Sequence, residues 1–146
     1  MRYEAKRTGL AGVMLRYALL WAPMVPIAIV NAAIRESVYR RFAGELAAHQ
    51  LSTASGILLF GIYIWFVTGR WRIESAGRAV AIGMLWLAMT VAFEFLFGHF
   101  VMGNPWSRLL HDYNLLAGRL WVLVLVWVAV APYVMFRLFR LRSIQF

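Results

Sequence analysis

The chain has 146 residues, carries 15 Lys and Arg against six Asp and Glu, and is 63% hydrophobic, with a mean hydropathy of +0.71. A soluble domain of this size is about 45–50% apolar and about 25% charged, whereas this one is 14% charged, which excludes an ordinary water-soluble fold. Cysteine is absent, and with it go disulfides, thiolate metal sites and thiol nucleophiles.

Four stretches carry no formal charge: Tyr17–Ile34, Leu46–Gly69, Ala79–Phe93 and Leu120–Phe136, of 18, 24, 15 and 17 residues. A helix that crosses the hydrocarbon needs about 20 mostly apolar residues. Backbone polar groups in lipid must be paired internally, which makes helices the default. The expected fold is therefore all-α: a single transmembrane domain over residues 1–146 with four spans, at about Tyr17–Ile34, Leu51–Thr68, Val80–Phe97 and Gly118–Leu138.

The N-terminal segment is basic and leads into an apolar run ending near Val30-Asn31-Ala32, which imitates a signal peptide. Pro23 and Pro26 interrupt that run, so it reads as an uncleaved first span with a kink, since each proline removes a backbone donor and crowds the preceding turn. Between spans one and two, Ile34, Val38, Phe42 and Leu46 recur every fourth residue among charges, an amphipathic stripe. Span two ends near Trp65 and Trp71, at a depth where indole rings favour the interface. After span three, Asn104-Pro105 starts a second amphipathic helix, with Asn as cap and Pro at the first helical position. Both outer stretches read as helices lying flat on the membrane surface, or else as elements folded over the bundle.

Crossing four times puts ten basic and two acidic residues on the side of the termini, against five and four on the other. Cytoplasmic loops carry the excess of Lys and Arg, so both termini are expected in the cytoplasm. The net charge of +9 then reflects orientation and contact with anionic lipids, not nucleic acid, because no polar domain exists to bind it.

Polar residues gather at the outer ends of the spans: Asn31, Arg35, Glu36, His49, Gln50, Ser52, Thr53, Glu94, His99, His111, Asp112, Asn114 and Arg119. The inner half is almost purely apolar. Ionisable residues inside a membrane are costly and mark functional sites by default. Asn31, Arg35, Glu36, Glu94, Asp112, Asn114 and Arg119 are the candidate ligand- or ion-binding set. Glu94 follows Arg78 by 16 residues, about 24 Å of helix, and must pair with a cation or take up a proton. Arg35, Arg119 and a histidine are its candidate partners. Asn31 and Arg35 share a face of the first span; Asp112 and Arg119 lie two turns apart on the last helix. Arg35 and Arg119 read as anion-binding groups or as snorkelling, ion-paired ends.

His49, His99 and His111, with the nearby carboxylates, are candidate ligands for zinc, iron, copper or a haem. They lack the spacing of a known motif, and no cofactor is the simpler expectation. No phosphate loop, dinucleotide fingerprint or nucleophile elbow is present. A weak repeat at an offset of 62 residues sets His49, Ser52 and Gly56 on His111, Asn114 and Gly118, each set expected on one helix face. It would relate residues 1–69 to 70–146, as parallel repeats do in some transporters.

The run Asn31…Arg35-Glu36, His49-Gln50-x-Ser52-Thr53, Phe93-Glu94-x-x-x-Gly98-His99, Asp112-Tyr113-Asn114 and Gly118-Arg119-Leu120-Trp121 resembles an uncharacterised family of small four-helix bacterial inner-membrane proteins, over most of Asn31 to Pro132. The resemblance implies a bacterial origin and four spans; it assigns no activity. The functional expectation is a non-catalytic accessory protein of the inner membrane, a homo-oligomer or a subunit of a larger membrane complex, with a periplasm-facing ionic cluster. The alternatives are a small proton- or ion-coupled transporter or channel using Glu94, and a metal- or haem-dependent membrane enzyme.

Overall fold

The computed structural model describes residues 9–143, which are helical with no strand among them. Helix α1 covers Leu10–Trp21, α2 Met24–Ile34, α3 Arg40–Arg70, α4 Ala76–Leu96, α5 Trp106–His111 and α6 Trp121–Arg142. Three helical stretches, Leu10–Arg70, Ala76–Val101 and Trp121–Arg142, are long and apolar enough to cross a membrane.

The first of these is 61 residues long and doubles back. Gly44, inside α3, has φ +74°, a left-handed conformation available to glycine without steric cost. Beyond it the chain returns antiparallel to α1 and α2. The Asn31 amide donates to the Ser52 carbonyl at 2.8 Å, and the Tyr63 hydroxyl donates to the Leu20 carbonyl at 2.6 Å. The stripe Ile34–Leu46 is thus no separate surface helix. It is the bend itself, a π-helical turn at Arg35–Tyr39 running into the first residues of α3.

The expected kink is present between α1 and α2. Pro23 and Pro26 lack the donors that Leu19 and Ala22 would meet in a regular helix, and the carbonyls take tighter bonds instead: Ala22 N–H to Leu19 O at 3.2 Å and Val25 N–H to Ala22 O at 3.1 Å. In an apolar medium such repair is what makes a proline tolerable. The kink also sends the two halves to different neighbours: α1 packs on α4, whereas α2 packs on α3.

Helix α6 lies against both α3 and α4. Trp86, Ile82, Ile64, Val124 and Val128 are fully buried where they meet. The α4–α6 approach is close because Gly83 has no side chain: a β-carbon there would sit 1.9 Å from the Ala129 carbonyl oxygen. Small residues permit this contact between helices that gain little from hydrophobic association in lipid. Ser75 begins α4 by accepting a hydrogen bond from the Arg78 N–H at 3.3 Å. At its far end α4 passes into a second π-helical turn, Phe97–Val101.

The segment after α4 is shorter and less regular than its stripe predicts. Pro105 caps α5 where Asn104 was expected, and the helix stops at His111. A 3₁₀ turn, Leu115–Ala117, and a left-handed Gly118 (φ +76°) follow. The last helix therefore starts at Trp121, not Gly118, and runs to Arg142. The two repeat motifs consequently differ locally. His49, Ser52 and Gly56 lie along α3, whereas His111, Asn114 and Gly118 fall on a helix end, a cap and a turn.

Candidate functional site

The proline kink creates the site. Where α1 hands over to α2, the chain leaves α4 for α3, and a cavity of about 250 Å³ lies between α2 and α4. Ser52 and Gly56 of α3 and Trp121 of α6 line it from behind, and Leu109 and Asp112 lie at its polar end. Ile29, on its lip, is half exposed. Below the kink the bundle is closed. The Trp21 indole donates to the Thr90 hydroxyl at 3.0 Å and its ring meets Phe93 edge-on at 5.9 Å. The Trp86 indole donates to the Tyr17 carbonyl at 2.7 Å. The cleft is blind toward the other end of the molecule.

Glu94 lines this cleft and is held by neutral donors. The Tyr113 hydroxyl and the Trp121 indole N–H each donate to its Oε2 at 2.8 Å. This corrects the expected pairing: neither Arg35, Arg119 nor a histidine bonds Glu94 among the described residues. Both bonds fall on one oxygen, and no protein donor among the described residues reaches Oε1. Tyr113, outside the helices that can cross a membrane, has its phenol pushed well above its ordinary pKa, first by burial and then by the adjacent Glu94. It stays a proton donor.

Asn31 is spent on structure. Its amide donates to the Ser52 carbonyl and hydroxyl at 2.8 and 3.1 Å, and its carbonyl accepts from the Ser55 hydroxyl at 2.6 Å. A buried amide with these bonds satisfied fastens α2 to α3. Arg35 reaches Glu36 at 3.1 Å, and Glu36 also accepts from Arg40 at 2.6 Å.

A second, polar cavity of about 200 Å³ adjoins the first and shares Arg35, His49 and Asp112 with it. Arg119 organises this basin by bridging Glu45 at 3.0 Å and Asp112 at 3.4 Å. Asp112 and Arg119 thus meet as expected, but from the irregular connection before α6 and not from the last helix itself. Asn114 is not gathered with them: its side chain accepts from the Ala117 N–H at 3.2 Å and caps its own turn.

The three histidines part company. His49 is 4% exposed and lines both cavities; its Nε2 is buried with no protein partner. His111 lines only the basin. His99 bonds the Asn104 carbonyl through Nδ1 at 2.9 Å and stacks on Trp106 with centroids 3.8 Å apart. Among the described residues no three of His, Asp and Glu converge as a metal-holding group.

The sequence names Arg35, Arg119 and a histidine as partners for Glu94 and does not single out Tyr113 or Trp121, the two donors that hold it. The available signal was general: a buried Tyr or Trp in an apolar chain needs a partner for its polar atom. Comparison with protein-family models, curated proteins and solved structures finds no match for this chain.

Proposed function

We propose that the chain is a four-span protein of a bacterial inner membrane, both termini cytoplasmic, that works without catalysis as an accessory or oligomer-forming subunit. Its binding site faces the periplasm. The fold-back at Gly44 supports four crossings, because it divides the 61-residue stretch into arms of 34 (residues 10–43) and 26 residues (residues 45–70), and even the shorter has a reach of roughly 39 Å, enough for the hydrocarbon core. The excess of arginine at the opposite end supports the orientation. The observation that carries the functional reading is the blind cleft: mostly apolar side chains, with Glu94 and Asp112 among them, line a dead-ended cavity between α2 and α4, closed by the Trp21–Thr90 and Trp86–Tyr17 bonds. Such a cavity holds a ligand and does not conduct one.

A transporter using Glu94 is the second reading, favoured by the acid's position in the cleft. The two are separated by experiment. The chain has no cysteine, so single-cysteine variants give clean labelling. Ser107→Cys and Gly77→Cys, both exposed, are expected to label from opposite sides of sealed vesicles, Ser107→Cys from the periplasmic side. Proteoliposomes are expected to show no proton or cation flux that Glu94→Gln changes. Labelling of both positions from one side, or a Glu94-dependent flux, overturns the reading.

A further inference from the structure

We propose that the cleft binds an uncharged, hydroxyl-bearing lipid, with its apolar body between α2 and α4 and its hydroxyl presented to Glu94 and His49. This rests on the binding role proposed above and names its ligand. Three observations carry it. The first is size and access. An apolar cavity of about 150 Å³ admits benzene, so about 250 Å³ takes roughly ten carbons by the same scale. The half-exposed Ile29 at the lip lets a longer chain continue out between the helices.

The second is an unfilled pair of hydrogen-bonding positions. Glu94 Oε1 is an acceptor without a protein donor among the described residues, and His49 Nε2 is buried without a partner. A neutral imidazole nitrogen is either donor or acceptor according to tautomer. A hydroxyl both donates and accepts, so it suits Glu94 Oε1 and either form of His49. A buried polar atom such as His49 Nε2 is rarely left unpaired, and a ligand hydroxyl supplies what the protein does not.

The third is the state of the charges around the cleft. Arg35 is turned to Glu36, and Arg119 is taken up by Glu45 and Asp112. An anionic head would meet two carboxylates, Glu94 and Asp112, against the one guanidinium that lines the cleft, Arg35, whose Nε is already bonded to Glu36. A cationic head would be desolvated beside Phe93, Phe97 and the Arg35 side chain. A neutral head avoids both costs.

Trp21 and Trp121 line the cavity and serve as reporters in the purified full-length protein, since a bromine atom quenches indole fluorescence at contact. 11-Bromoundecan-1-ol is expected to quench saturably and to be displaced by undecan-1-ol, with undecanoate and undecylamine at least tenfold weaker competitors. Glu94→Gln keeps an acceptor for Tyr113 and Trp121 but replaces the bond between a carboxylate and the ligand hydroxyl with a weaker neutral one, and it is expected to weaken binding about tenfold. Ala28→Phe fills the cleft and is expected to abolish saturable quenching while the thermal transition is retained, which separates a blocked site from a failure to fold. Quenching that never saturates, or that survives Ala28→Phe, overturns the proposal. Preference for undecanoate or undecylamine overturns the ligand class and leaves the binding role standing. That role is judged separately by the labelling and flux measurements.

Discussion

At the scale of single residues, the polar end separates groups that hold the bundle together from groups that stay available. Asn31, Asn114 and Arg119 are consumed by protein partners, whereas Glu94 keeps one oxygen and His49 one nitrogen. Removing a donor from a buried acid leaves it under-satisfied, at about 1–3 kcal/mol. Tyr113→Phe and Trp121→Phe are each expected to destabilise by that amount in detergent unfolding, and together by less than the sum, because both bonds end on one oxygen. Arg119→Ala removes ion pairs whose acids are 66% and 37% exposed, and is expected to cost below about 1 kcal/mol. If Arg119→Ala were the more damaging change, ion pairing and not the Glu94 bonds would hold this end. Glu94 also shows where residue patterns fall short. Its burial was legible from its aromatic neighbours in the chain, but its partners come from Tyr113 and Trp121, and no spacing rule selects those over an arginine.

At the scale of elements, two glycines and two prolines set where the helices bend and how closely they meet. Gly83→Ala is expected to prevent the α4–α6 contact, because its β-carbon would meet a backbone oxygen at 1.9 Å; the loss should exceed about 3 kcal/mol or abolish the folded band on size-exclusion chromatography. Gly77→Ala, with nothing within 4 Å of the new atom, is the control and is expected to be neutral or slightly stabilising through helix propensity. Gly44→Ala places a β-carbon in left-handed backbone (φ +74°) and is expected to lower the melting temperature by an amount corresponding to about 1–2 kcal/mol. The kink at Pro23 and Pro26 was legible, because a missing N–H acts locally whatever surrounds it. The bend at Gly44 was not. Its neighbours continue a four-residue apolar stripe, and only the docking of α2 on α3 makes the left-handed turn pay.

At the scale of the whole molecule, the two ends differ in order of construction. Around Trp86 and Val128, α1, α3, α4 and α6 form a continuous apolar core, while the polar end is made of two π-helical turns, a six-residue helix and a 3₁₀ turn. Such turns are frequent at functional sites and carry weaker hydrogen bonding than regular helix. Local opening follows low contact density, so hydrogen exchange in nanodiscs is expected to be fastest over Arg35–Tyr39 and Phe97–Ala117 and slowest over the middle of α4 and α6. Uniform protection along α4 into Val101 would contradict this.

The sequence by itself determined that the described chain is helical and apolar enough for a membrane, where its first helix kinks, and that Glu94 and the histidines collect at one end with the arginine excess at the other. Hydrocarbon burial and the chemistry of proline act on each segment separately, so they can be read without a fold. Which residues of that polar end touch was decided only by tertiary structure. The kink diverts α2 from α4, the Gly44 bend lays α3 against it, and the cleft with its held Glu94 and unpartnered His49 exists only where those separate elements converge.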